Sequence, residues 1–293
     1  PPDKKMLPSF ITWDVSPTII DSFITVRWYG LMFAIGFWIG FNLVSKMFKH
    51  EGVPERWVGI LLIYVGVATI VGSRLGHVFF YQWDYYSAHP WKILATWEGG
   101  LASHGGAIGI IVAVILFSIF TTKRNPLWTF DRLTIVIALV GCLIRIGNLM
   151  NSEIFGYPTD LPWGFKFVRS AEWNQLYYGL ACHPTQLYEA MCYLALFGIM
   201  MWMYWKKNCG ERPGLLFGVF LVGTFGSRFL IEFIKNDQVA FEATMTYNMG
   251  QLLSIPFVLL GAALIVTALL RKRQEISYPD RWADEKMTKT NKR

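Results

Sequence analysis

The stretch IVIALVGCLIRIGNLMNSEIFG, Ile135 to Gly156, decides the class of this protein. It opens as an apolar run suited to lipid. It closes with Arg145, Asn148, Asn151 and Glu153, each costly in hydrocarbon. A helix rises about 1.5 Å per residue, so a lipid core takes about 20 residues to cross. Residues 130–150 therefore make one crossing, with the polar groups gathered at its far end.

Six further runs have the same character: residues 28–47, 57–81, 104–121, 184–205, 213–234 and 248–270. The chain is 54% hydrophobic and 16% charged, against about 25% charged in an ordinary soluble domain. The expected fold is an all-α integral membrane protein with seven transmembrane helices. Lys46, Lys49, Arg56, Lys123, Arg124, Lys206, Lys207 and Arg212 fall in alternate connections, on the same side as the basic segment RKRQEISYPDRWADEKMTKTNKR at the C-terminus. The other side carries fewer: Lys4, Lys5, Arg27, Lys92, Lys166, Arg169 and Lys235. The positive-inside rule then puts the C-terminus in the cytoplasm and the N-terminus outside. The net charge of +7 is a product of that topology and is not read as nucleic-acid binding.

Three regions follow. The expected division is an outer-side arm at residues 1–27, a seven-span membrane domain at 28–273 and a basic cytoplasmic tail at 274–293. Two outer (periplasmic) loops are long. Residues 82–103 carry Trp83, Tyr85, Tyr86, Trp91 and Trp97, an aromatic density suited to the headgroup layer. Residues 151–183, rich in Trp, Tyr, Pro and Gly, read as a small extramembrane cap. The opening PPDKKMLPSF has no apolar core of a secretory leader, so none is expected there. Cys142, Cys182, Cys192 and Cys209 have neither metal-ligand nor disulfide spacing and read as free apolar residues.

The ionisable residues segregate. Arg74 and His77 end the second run, His104 opens the third, and Arg145 to Glu153 end the fourth. His183, Gln186 and Glu189 open the fifth, and Arg228 and Glu232 end the sixth. Tyr29 opens the first and Asn248 the seventh. In the topology above, all lie at one depth on the outer side. Taken singly, each has a structural reading: Arg228 and Glu232 pair at i, i+4, Arg74 snorkels, His104 makes a turn, Glu189 neutralises an arginine, and Asn148 and Asn151 cap helices. None explains their common level. Arginines at one level imply an anion, and the guanidinium fork suits phosphate, so an outer-leaflet phospholipid headgroup is the expected ligand.

These residues also carry a resemblance. RWYGLMF, GSRLGHVFFY, WEGGLASHGGAIG, RIGNLMNSEIFG, HPTQLYEA, SRFLIEF and NMGQLLSIP, in this order from Tyr29 to Pro256, are similar to the bacterial prolipoprotein diacylglyceryl transferases. The resemblance implies transfer of the diacylglyceryl group of phosphatidylglycerol to the lipobox cysteine thiol of a preprolipoprotein, giving a thioether and releasing glycerol phosphate. It implies a bacterial inner-membrane location, with phosphatidylglycerol, lipobox signal peptides and membrane lipids as partners. No metal or other cofactor is implied; the lipid is a co-substrate. By the matching motifs, His104 and Tyr29 are the catalytic candidates. Arg145, Asn148, Glu153, Gly156, Arg228 and Glu232 are the candidates for binding phosphatidylglycerol. Thr224 stands where some members carry a tyrosine.

The chemistry fits from the residues alone. Arginines aimed at a departing phosphate stabilise its developing charge. The thiol belongs to the partner, so the enzyme needs no nucleophile. An imidazole is a suitable base for a thiol. Gly105 and Gly106, beside His104, are expected to leave room for a lipid glyceryl or a peptide backbone. Rival classes fare worse. Transporters place their site at the midplane between repeats, and no repeat is visible. A seven-span receptor has less need for arginines backed by carboxylates. Ser103 and Ser227 lack the nucleophile elbow of a serine hydrolase.

Overall fold

The computed structural model describes residues 10–21, 25–96, 99–236 and 245–273. Seven helices are long and apolar enough to cross a membrane: Trp28–His50, Arg56–Tyr81, His104–Thr122, Pro126–Met150, Thr185–Lys207, Leu215–Ile234 and Met249–Leu270. We number the helices in chain order: α1 (Trp28–His50), α2 (Arg56–Tyr81), a short α3 (Trp83–Ala88), α4 (Ser103–Phe117), α5 (Pro126–Met150), a short α6 (Ala171–Leu176), α7 (Thr185–Lys207), α8 (Leu215–Ile231) and α9 (Met249–Leu270). The expected cytoplasmic tail, 274–293, lies outside the described residues, as do 1–9 and 22–24 of the arm and Trp97 of the aromatic loop.

Local chemistry sets the boundaries. Pro126 begins α5, where its missing N–H costs nothing, and the Asn125 side chain accepts from Leu127 N–H at 2.9 Å. Asn248 and Gln251 form a reciprocal capping box on α9. Asn208, at φ 50°, closes α7 in the left-handed region. The last turns of two spans depart from α geometry: residues 118–122 continue α4 as a π-turn, and 232–234 continue α8 as a 3-10 turn.

The chain divides into two compact units: residues 1–40 with 133–272, and residues 41–132 with 273–293. In the second unit α2 and α4 pack backbone to backbone. A Cβ at Gly105 would strike the Gly72 carbonyl and lie 2.8 Å from Gly76 Cα. At the loop end of α1, Glu51 accepts from Arg132 Nε at 2.9 Å and from Trp128 Nε1 at 3.0 Å, a buried latch beside the aromatic stack of Phe48 on Trp128. The aromatic loop forms α3 and the turn Pro90–Leu94, exposing Trp83, Tyr85, Trp91 and Leu94.

The first unit carries the extramembrane cap. Phe155, Phe165, Phe167, Trp173 and Cys182 make its dry core, with Trp13 packed against it. Strand β1 (Ile11–Thr12) runs parallel to β4 (Phe165–Lys166), tying the arm to the cap, while β2 (Thr18–Ile20) pairs antiparallel with β3 (Val26–Arg27). Trp13 Nε1 donates to the Leu149 carbonyl at 2.9 Å, fixing the arm to the end of α5. Large side chains such as Trp38, Ile63 and Leu259 point outward, as expected where lipid is the solvent.

Candidate active site

Helix α5 brings Arg145, Asn148 and Asn151 to one end, and the chain then turns sharply, with Ser152 and Ile154 at positive φ. The turn folds Glu153 back. Its Oε1 accepts from Asn148 Nδ2 at 2.7 Å and Asn151 Nδ2 at 3.2 Å. The two asparagines therefore hold Glu153 and do not cap the helix. Gln186, buried on α7, donates to the Glu153 carbonyl at 2.6 Å and fixes the turn from the other side.

Arg145 points from α5 to α7, where its Nε meets Glu189 Oε2 at 2.6 Å. It also donates to the Tyr193 hydroxyl, and Nη1 reaches Asn148 Oδ1 at 3.4 Å. Tyr29 lies on the same group of residues. A methyl on Gly147 would meet its ring at 3.0 Å, and its hydroxyl feels the charges of Glu153 and Arg145.

From α8, Arg228 Nε pairs with Glu232 Oε1 at 3.4 Å, the expected i, i+4 contact. The pair is not isolated. Lys235 Nζ lies 3.4 Å from Glu232 Oε1 and 3.4 Å from Glu189 Oε1. The ions thus form a continuous chain: Arg145, Glu189, Lys235, Glu232, Arg228. Among the described residues it alternates three cations with two carboxylates, and a third carboxylate, Glu153, is joined to Arg145 through Asn148. The accessible groups are at the ends: the Arg145 side chain is 16% exposed and that of Arg228 36%, whereas Glu189, Lys235 and Glu232 are at most 3% exposed. Two partly exposed guanidinia at the ends of a buried ion relay have the chemistry to meet an anion such as a phosphate.

Gly156 does not face this relay with a side chain; it makes room. A Cβ there would strike the Ile234 carbonyl and meet Thr185 Cγ2 at 2.8 Å. The backbone of residues 155–157 runs beside 234–236, with Tyr157 N–H to Ile234 O at 3.0 Å and Asn236 N–H to Phe155 O at 3.4 Å. The next ring of the site is polar and aromatic. His183 Nδ1 lies 3.3 Å from the Tyr188 hydroxyl, which accepts from Trp163 Nε1 at 3.0 Å. Burial pulls the His183 imidazole below its usual pKa, so it stays neutral at pH 7.

His104 belongs to the other unit. It is exposed at the start of α4, with Phe80 and Tyr81 as ring neighbours at 5.2 and 5.7 Å. The space beside Gly105 and Gly106 is not open to a substrate. Gly105 is filled by the α2 backbone and Gly106 by Ser73, because these glycines serve helix packing. Arg74 also departs from expectation. Its guanidinium donates to the carbonyls of Ile93, Gly99, Gly100, Lys92 and Ala95 at 2.5 to 3.3 Å. A guanidinium has five N–H groups, and all are consumed. Arg74 holds a loop and has nothing left for a phosphate.

Two members of the site escaped the sequence reading as site residues. Lys235 reads in sequence as a loop charge, although it stands three residues after Glu232. Tyr193 stands four after Glu189 on α7, and that spacing is its one signal in the sequence.

Comparison with known proteins agrees with the resemblance. A family model described as "Prolipoprotein diacylglyceryl transferase" matches residues 17–267. A protein of Porphyromonas gingivalis named phosphatidylglycerol–prolipoprotein diacylglyceryl transferase is 53% identical over 272 residues, covering 90% of this chain and 96% of the relative. Proteins of the same name from Chloroherpeton thalassium and Tolumonas auensis are each 44% identical, covering 91% and 89% of this chain and 97% and 98% of their own lengths.

Proposed function

The chain belongs to the prolipoprotein diacylglyceryl transferase family, and from that membership we propose the reaction and the part each residue plays in it. It is a transferase that moves the diacylglyceryl group of phosphatidylglycerol to the thiol of a prolipoprotein cysteine. The cysteine sulfur forms a bond to the glyceryl carbon, the bond from that carbon to the phosphate oxygen breaks, and glycerol phosphate departs. The thiol proton passes to a base. The phosphate goes from one ester-linked negative charge toward two, so groups that bind the second charge lower the barrier.

The observation that carries this reading is the ion relay with a partly exposed guanidinium at each end. Arg145 and Arg228 bind the headgroup phosphate and meet the charge as it develops. Glu189 and Glu232 orient them. Asn148 and Glu153 shape the turn beside Arg145, and Gly156 lets the backbone after α8 close against it. Tyr29 orients the lipid beside Arg145. His104 enters through its motif and its chemistry, as the group that takes the thiol proton. The reaction uses the lipid as co-substrate and calls for no metal. The site faces the outer side of the bacterial inner membrane, where a lipobox cysteine emerging from translocation meets the lipid. The charge bias of the connecting loops supports that orientation.

The test is direct. Purified protein is incubated with phosphatidylglycerol and a lipobox peptide. Release of glycerol phosphate, with a matching mass gain on the peptide cysteine, is expected. Release without the mass gain would make the protein a lipid hydrolase and overturn the reading.

A further inference from the structure

Lys235 is buried between two carboxylates and touches no surface a substrate can reach, at 3% side-chain exposure. A buried lysine is costly unless paired, and this one is paired twice. The way the carboxylate oxygens are shared is informative. Glu189 gives Oε2 to Arg145 and Oε1 to Lys235. Glu232 gives Oε1 to both Arg228 and Lys235. Each arginine is met through Nε, at the side of its guanidinium. A carboxylate with both oxygens at liberty tends to close on arginine with two parallel bonds, using Nε and a terminal nitrogen. Such a closed pair would take from each arginine a nitrogen that a phosphate needs.

We infer that Lys235 is a positioning residue that keeps Arg145 open for the lipid phosphate by holding Glu189 Oε1 away from it, and that limits the hold of Glu232 on Arg228 by sharing Glu232 Oε1 with it. It is also the cation that links the two carboxylates of the relay.

The placement of Lys235 is itself built in. Ile234 and Lys235 lie against the Phe155–Tyr157 segment in a strand-like pairing, possible because Gly156 carries no side chain. The chain after α8 thus enters the relay at a fixed register, and the Lys235 side chain is delivered between α7 and the end of α8. Gly250 of α9 completes the enclosure, since a Cβ there would strike Glu232 Oε1.

This inference rests on the proposed transfer reaction, and the experiment separates the two. Lys235→Met, Lys235→Arg and wild type are purified in detergent and assayed with phosphatidylglycerol varied at fixed lipobox peptide, then with the peptide varied at fixed lipid. Wild type without any transfer would sink the reaction itself. With wild type active, Lys235→Met is expected to raise the KM for phosphatidylglycerol about tenfold or more, and to leave the KM for the peptide within about twofold. Lys235→Arg, which keeps a cation between the carboxylates, is expected to recover most of that loss. A residue that only supports the fold would lower the amount of active enzyme, and so the apparent kcat, at unchanged KM. That pattern overturns the inference, as does an equal rise in both KM values. Should Lys235→Met fail to fold, Lys235→Gln, which keeps one amide donor, is read in its place. It is expected to raise the lipid KM about threefold, and an unchanged lipid KM again overturns the inference.

Discussion

Arg145 shows how one side chain is both anchored and left available. Its Nε forms an ion pair with Glu189 Oε2 at 2.6 Å, Nη1 only brushes Asn148 at 3.4 Å, and the side chain keeps 16% exposure. Arg145→Ala is expected to cost about 100-fold or more in turnover, the scale seen when a donor to a developing oxyanion is removed. Arg145→Lys should restore little, because a point charge cannot reproduce the fork. Glycerol phosphate release under saturating peptide measures both, and near wild-type turnover in folded Arg145→Ala would remove it from the site. Cys182 is the opposite case. Buried in the cap core, its thiol is pushed up to about 12. An unfolded cysteine ionises near 8.5, so the folded cap holds a proton that the unfolded chain releases. Its contribution to stability is therefore full at neutral pH and is lost as pH rises above about 8.5 toward about 12. A melting temperature that falls across that alkaline range, and falls less in Cys182→Ala, is the expected result. In the native protein, alkylation should reach the partly exposed Cys209 well before Cys182.

At the scale of elements, the close pairing of α2 with α4 rests on backbone contact through Gly105. Gly105→Ala puts a methyl into the Gly72 carbonyl and must push the helices apart, at a cost of about 1–3 kcal/mol. A lower melting temperature in detergent is expected, and an unchanged one would show that the pair has slack. This is also where sequence reading reached its limit. The seven spans were legible because about 20 apolar residues in a row have few other uses, and the observed helices begin and end within a few residues of the runs. The polar residues of the relay were legible because lipid makes each costly. The use of the small residues was not: a Gly beside a candidate histidine looks the same whether it admits a substrate or a neighbouring helix. Nor could the sequence distinguish the tasks of the arginines. Arg74 and Arg145 both end apolar runs, and only the carbonyls of Lys92, Ile93, Ala95, Gly99 and Gly100 show that Arg74 is consumed. Lys235 was hidden for a related reason, since a lysine just beyond a span ordinarily points to water.

The loop charges call for an outward N-terminus and cap, with Lys206 and Lys207 in the cytoplasm. Single cysteines at positions 166 and 207, in a chain otherwise free of cysteine, are expected to split cleanly. An impermeant label on intact cells should reach 166 and miss 207, and the reverse would invert the molecule. Sidedness also sets what the surface must tolerate. The loop around Arg74 exposes Trp83, Trp91 and Leu94 and runs through short turns whose carbonyls would otherwise need water. Arg74 gathers five of those carbonyls about one planar cation, much as a crown ether gathers its oxygens about a metal ion, with the hub covalently part of the ring it organises. A hub of this kind ties the described stretches 92–95 and 99–100 to α2 through one side chain. The loop can then rest among lipid headgroups with its polar backbone turned inward, and dryness outside tightens its hold.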